Sequence, residues 1–431
     1  MTAPDRRHAA SSVARIALLF GLPASLPGDA WTSSSQTIPE LDPLLSADGW
    51  PYASAESGRF HALFGRDSAI VSLQVLPARP DVARATLRAL ASLQGEVEDP
   101  VTDEEPGKIV HEWWPRAPER LRRAGWPLRD GELRYYGSAD STSWFLVLLA
   151  ALGDGSLVAE LEATWRAAGG WLERALRRGD GLVRHGPRLA PGGLAQQGWR
   201  DAEDPADPAF HGAGILAVGG EVPAPPLADA DTQAVTVAAL RALAALSGER
   251  RWTERATRLS ATIEEAFDPE TLAIAGDGER VGGAGSQLGW LLWADTLTGV
   301  ARERAADRLA QPDVLTPWGL RTLSSRHPLY APDAYHRGAI WPFDSWLGWG
   351  GLRAAGRLDA AERVRRGVLE AIERLGDAPE LFAVGDAGPE PIPIANRVQA
   401  WTVGAAWALR NRWDGRAAGR SRAPGGPGDR P

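Results

Sequence analysis

Cysteine is absent from the 431 residues, which excludes disulfides and thiolate metal sites. Lysine is nearly absent: of 47 basic residues, only Lys108 is not arginine. No apolar run approaches the roughly 20 residues that a membrane span needs. There is no basic stripe; the formal net charge is −8 and the pI about 5.5, which argues against a nucleic-acid partner. The seven histidines do not pair at ligand spacing, and no motif requires a metal or a cofactor. HEWWP at 111–115 lacks the second histidine of a zinc helix, and Pro115 would end such a helix. GxSxG, P-loop and strand-turn-helix GxGxxG patterns are missing too. The segment ARIALLFGLPASL is short and broken by Gly21 and Pro23. It reads as a first helix rather than a signal segment, which favours the cytoplasm. Oligomeric state is not encoded in any motif.

Tryptophan is in excess: 19, against 8 Phe and 5 Tyr. Its wide face serves cores and also stacks on apolar faces of sugars. The 44% apolar content supplies a large core. Helical spacing recurs over twelve segments, 8–20, 67–77, 81–94, 139–152, 156–178, 229–247, 250–267, 286–297, 299–310, 338–356, 358–375 and 397–413. Strand-type alternation is sparse, so the expected class is all-α. Two kinds of helix alternate. AERVRRGVLEAIERL and WTERATRLSATIEEAF are amphipathic and charged, whereas STSWFLVLLAAL, SQLGWLLWADTL and VQAWTVGAAWAL are nearly uncharged. A helix apolar all round is buried, so an inner ring wrapped by an outer ring is expected. One domain is expected over 1–414, followed by a disordered tail at 415–431 that lacks the apolar content to pack.

Links from inner to outer helices are short; links from outer to inner are long and hold the unusual residues. Each inner helix is approached through a polar or aromatic motif: GRDS (65–68), YYGSAD (135–140), ADADTQ (228–233), GSQLGW (285–290), YHRGAIWPFD (335–344) and NRVQAW (396–401). Parallel inner helices would gather these motifs at one end, as a funnel on a rigid scaffold. In GRDS, Arg66 and Asp67 place two charges where a helix start meets an apolar interior, either as a structural ion pair or as a pair awaiting a polar ligand. Two carboxylates lie in long loops, Asp201 in QQGWRDAEDP and Glu380 in APELFAVGD. An acid beside an apolar neighbour has the raised pKa of a proton donor. Two carboxyls across a funnel suit glycosidic cleavage. On the residues alone, the loop-capping reading of each comes before the catalytic one.

Nine stretches in order carry a resemblance: DGWPYASAESGRFHALFGRDS, EEPGKIVHE, YYGSAD, QGWRD, ADTQ, GLRTLSSRHPLY, YHRGAIWP, PELF and VQAW. From about Gly49 to Trp413 the chain resembles the bacterial amylo-α-1,6-glucosidase (glycogen debranching enzyme-like) family of six-hairpin glycosidases. The resemblance implies an (α/α)6 toroid, with Asp201 as general acid and Glu380 as general base of an inverting, exo-acting hydrolase. Its carbohydrate substrate would carry an α-linked terminal hexose, glucose first. Arg66 and Asp67 would grip hydroxyls of that terminal sugar. Lys108, His111 and Glu112 match the GKI-x-HE stretch and would line the wall. Tyr136, Asp140, Asp231, Gln233, Arg321, Tyr335, His336 and Gln399 are further lining candidates, and Trp199, Trp341 and Trp401 are candidates for stacking. The chain departs from the pattern at Asp231, where glutamate is usual, and at Trp113 and Trp114, where an arginine is common. It also lacks the extra domains of larger debranching enzymes, which favours a small glycoside as substrate. A phosphorylase on the same toroid and a catalytically silent sugar-binding protein are the alternatives.

Overall fold

The computed structural model describes residues 35–55, 59–186, 192–206 and 212–416. The helix expected over 8–20 and the tail beyond 416 lie outside the described residues. Within them, thirteen α-helices run in the order α1 (Gly65–Gln74), α2 (Pro80–Ser92), α3 (Glu119–Arg123), α4 (Ser141–Leu152), α5 (Gly155–Glu160), α6 (Glu162–Arg178), α7 (Ala230–Ser247), α8 (Arg250–Ala266), α9 (Gln287–Trp293), α10 (Gly299–Leu309), α11 (Pro342–Ala354), α12 (Leu358–Leu375) and α13 (Ala400–Arg410). Ten short strands lie in the connections. They form a three-stranded sheet of β1 (Leu63–Phe64), β2 (Glu112–Trp114) and β3 (Leu133–Tyr135), and another of β4 (Ala228–Asp229), β5 (Thr271–Ile274) and β6 (Arg280–Gly282). Two hairpins complete the set, β7 (Leu315–Thr316) with β8 (Gly319–Leu320) and β9 (Phe382–Gly385) with β10 (Gly388–Pro391). All pairings are antiparallel.

Six helices close a ring: α1 packs on α4, α4 on α7, α7 on α9, α9 on α11, α11 on α13, and α13 back on α1. These are the helices without a polar face. Every residue of α1 is buried, as is every residue of α4 from Ser141 to Ala150. Helices α2, α6, α8, α10 and α12 pack outside them. In α12 the buried positions are Ala360, Ala361, Val364, Gly367, Val368, Ala371 and Ile372, one stripe at helical spacing. The result is a helix-rich toroid. Where α9 meets α11, a Cβ on Gly289 would lie 2.5 Å from the Cα of Gly348, so this contact between inner helices needs glycine.

Several boundaries differ from the expectation. The segment 156–178 is two helices, α5 and α6, with Asp154 capping the first by accepting from the Ser156 and Leu157 amides. The helix expected from 338 starts at Pro342, because Trp341 before the proline is held extended (φ −107°, ψ 122°). Helix α9 ends at Trp293, two residues before Asp295 turns left-handed at φ +54°. EWW at 112–114 is strand β2, in keeping with the rejection of a zinc helix there: Glu112 pairs with Phe64 on one side and Tyr135 on the other.

Candidate active site

A cavity of about 410 Å3 opens at the N-terminal ends of α1, α11 and α13. Its floor holds Arg66 and Asp67 from the first turn of α1, Trp341 and Gln399 from the residues preceding α11 and α13, and Trp401 from the start of α13. The long loops bring in Asp201 and Glu380, so the two carboxylates singled out in sequence line one cavity. His111, Glu112, Trp199, Tyr335 and His336 also line it.

Arg66 organises the floor. Its Nη2 donates to Asp201 Oδ2 at 2.6 Å and its Nη1 to the Gly198 carbonyl at 3.1 Å and to Asp140 Oδ1 at 3.4 Å. Its Nε lies 3.5 Å from Asp67 Oδ1. Three carboxylates thus surround one guanidinium that is 4% exposed. Burial pushes Asp67 up to about 7 against the pull of Arg66. Burial raises Asp201 as well, again opposed by Arg66; its side chain stays 24% exposed to the cavity.

Glu380 is held differently. The Tyr335 hydroxyl donates to its Oε1. Its Oε2 accepts from the backbone and side-chain nitrogens of Asn396, each at 3.0 Å. Burial nevertheless pushes this carboxyl up to about 7, with the Asn396 and Tyr335 bonds pulling the other way. Such a group is poised near neutrality to take up a proton. His336 contributes Nδ1 to the Ala213 carbonyl at 2.6 Å. Burial holds its imidazole well below the usual histidine range, with the Arg200 charge adding to the effect, so it is neutral and Nδ1 is the donor. Stacked indole and imidazole planes, His336 on Trp341 at 5.2 Å, line the same side. Among the described residues, no group of three His, Asp or Glu is placed to hold a metal ion, and no helix is long and apolar enough to cross a membrane.

Six expected lining residues lie off the cavity, each for a packing reason. Lys108 donates to the Asp103 carbonyl at 3.0 Å and sits over the Trp171 ring. Tyr136 donates its hydroxyl to the Leu93 carbonyl at 3.0 Å. Asp140, at the start of α4, is spent on Arg66 and on the Ser138 hydroxyl at 2.8 Å. Asp231, at the start of α7, accepts from Arg200 Nε at 3.2 Å. Gln233 clasps the backbone of Val183, accepting from its N–H and donating to its carbonyl, both at 2.8 Å. Arg321 turns outward to the Tyr330 hydroxyl at 3.1 Å.

These placements make the funnel lopsided. The motifs directly before α4, α7 and α9 (135–140, 228–233 and 285–290) contribute no lining residue, and Arg200 packs against Asp231 and Ser286 on that side. Arg200 also donates to the Thr322 carbonyl at 3.0 Å, the His336 carbonyl at 3.2 Å and the Ser286 hydroxyl at 3.1 Å. Trp199 lies parallel to Trp290 at 5.8 Å. Sequence reasoning missed Arg200 and Asn396, although both sit inside quoted motifs. It also missed an outer wall formed by Arg59, Phe60, Phe64, Arg120, Leu121, Trp126, Leu194, Glu203 and Asp204. That wall comes from β1, the short α3 and their loops, and from the long loop between α6 and α7, none of which the helical periodicity flagged.

Residues 64–382 match the family described as the mannosylglycerate hydrolase MGH1-like glycoside hydrolase domain. The span includes Arg66, Asp67, Asp201 and Glu380. Among solved structures, the GH63 mannosylglycerate hydrolase from Thermus thermophilus in complex with glucose superposes with a TM-score of 0.61 at 16% identity, covering 89% of this chain and 100% of that one. The same enzyme in complex with Tris and D-glycerate gives 0.59 at 17% identity, covering 86% and 97%. At such identity the likeness concerns the fold alone. No curated protein sequence matches the chain. The glycoside hydrolase assignment agrees with the resemblance read from the motifs; the debranching-type specificity of that resemblance finds no counterpart among these matches.

Proposed function

This chain belongs to the MGH1-like glycoside hydrolase family, and from that premise we propose that it is an inverting, exo-acting hydrolase of an α-linked terminal hexose, with Asp201 as general acid and Glu380 as general base. The observation that carries the reading is the convergence of two carboxylates, distant in the chain and differently held, on one cavity. Asp201 reaches the cavity with part of its carboxyl exposed and with burial favouring its protonated form. It delivers that proton to the glycosidic oxygen as the bond breaks. Glu380, fixed by Tyr335 and Asn396, takes a proton from the water that attacks the anomeric carbon. Inversion needs room for that water, with carboxyls roughly 6.5–9.5 Å apart. Arg66 donates and Asp67 accepts at the floor, which suits them to hydroxyls of the terminal sugar and closes the pocket below it.

We read the ring of α1, α4, α7, α9, α11 and α13 as the inner half of an (α/α)6 six-hairpin toroid forming one catalytic domain, working in the cytoplasm. Glucose and mannose are the sugars to try first. The first follows the motif resemblance, the second the family's name, which also makes mannosylglycerate a substrate to include. The test is proton NMR of the first-formed product from an α-glucoside or α-mannoside. A β-anomer released by the wild type and lost in Glu380→Gln is expected. An α-anomer as first product contradicts the inverting assignment.

A further inference from the structure

The acid–base reading accounts for the floor of the cavity and leaves its outer half without a task. That half is walled by Phe60, Phe64, Leu121, Trp126 and Leu194, which belong to or pack on a small apolar cluster separate from the toroid core. If Arg66 and Asp67 hold the terminal sugar, the aglycone faces this wall, and a polar group set against its apolar side chains loses water without gaining a partner. Phe60 sharpens the point. Its backbone is left-handed, at φ +57°, a conformation that costs a side-chain-bearing residue about 1–2 kcal/mol. Strain of this kind persists where the surroundings fix a residue, often at ligand sites. Its ring meets that of Phe64 edge-on at 5.8 Å.

The charges on this wall do not favour an anion. Two arginines, Arg59 and Arg120, are matched by two carboxylates, Glu203 and Asp204. The arginines are also engaged. Arg59 donates to the Ile394 carbonyl and lies over the Phe60 ring. Arg120 lies over both Phe60, at 5.9 Å, and Trp114, at 5.4 Å. Glu112 adds a third acid, its Oε2 accepting from the Trp114 indole at 2.5 Å. A cavity of about 410 Å3 holds more than one pyranose ring, and falls in the ~300–1,000 Å3 range of sites that enclose a whole small ligand.

We infer that the outer half takes an uncharged apolar aglycone, so that the preferred substrate is an aryl or alkyl α-hexoside rather than a glycosylated acid. This rests on the hydrolase reading above. The glycosidic C–O bond breaks, the alcohol oxygen of the aglycone takes the Asp201 proton, and water supplies the new C–O bond while its proton passes to Glu380. The products are the free hexose and an apolar alcohol.

The test compares kcat/KM for the benzyl, hexyl, methyl and glycerate α-glycosides of one sugar, glucose and mannose each in turn. Wild type should favour the benzyl or hexyl glycoside over both others by about tenfold or more. Trp126→Ala should lower the benzyl-to-methyl ratio about tenfold. Because Trp126 is buried, Phe60→Gly is the second variant; glycine adopts the left-handed backbone without strain, which offsets part of the lost ring packing, and the ratio should fall likewise. Hydrolysis of all four with no apolar preference, or with glycerate preferred, overturns this inference and leaves the hydrolase reading standing. No hydrolysis of any glycoside of either sugar overturns both.

Discussion

Between the floor of the cavity and its outer wall, the lining changes from tightly packed buried charge to apolar side chains interspersed with two arginines and two carboxylates. On the floor, one guanidinium faces Asp67, Asp140 and Asp201 within 2.6–3.5 Å, and two carboxyls, Asp67 and Glu380, are pushed up to about 7 by burial. Each charge there is tolerable only because of its neighbours, since removing one partner leaves the others buried and unpaired. On the wall, Phe60, Leu121 and Trp126 act through the area they cover, which is nearly additive and forgiving. On the proposal above, the floor sets what the protein does to a sugar, and the wall selects which sugar derivative is bound.

The contrast can be broken at the floor first. Asp67→Asn keeps the shape but loses a charged acceptor, and kcat/KM should fall about a hundredfold. Steady-state kinetics with deoxy-sugar substrates sharpen the comparison. A substrate lacking the hydroxyl that Asp67 holds should be penalised in the wild type and not further in the variant, whereas equal penalties in both would deny the clamp. Substitutions on the wall, such as Phe60→Gly, are expected to cost about tenfold and only for apolar aglycones. The smallest effect is a shift in pH dependence. Glu380 must be ionised to act as base, so kcat/KM should rise with pH through about 7. The Tyr335 hydroxyl favours the ionised form. Tyr335→Phe should therefore raise the Glu380 pKa and move this limb to higher pH by roughly one unit. A limb that stays in place, or moves to lower pH, contradicts the assignment of Glu380 as base.

The toroid was legible because its two kinds of helix differ in composition. STSWFLVLLAAL has no solvent face to offer, and α4 is buried throughout Ser141–Ala150. The paired carboxylates were legible because long loops held them beside tryptophan and proline. Direction was not legible. Asp140 and Asp231 sit at inner-helix starts just as Asp67 does, yet Arg66 and Arg200 draw the first two away from the cavity. Such choices depend on partners remote in sequence, which no local pattern encodes. Gln233 and Tyr136 illustrate the same limit, since each satisfies backbone groups of a neighbouring loop. Asn396, three residues before Gln399, shows the reverse case. It lay in a recognised motif, and only the fold reveals that it grips Glu380.

The most direct measurement compares Asp201→Asn with the wild type on two substrates of the same sugar, an alkyl α-glycoside and the corresponding α-glycosyl fluoride. Departing fluoride needs no proton from the enzyme, whereas an alkoxide does. Activity on the alkyl glycoside should fall about a thousandfold or more while most activity on the fluoride survives. Equal losses on both substrates, or little loss on either, would contradict the claim that Asp201 delivers the proton across the cavity from Glu380.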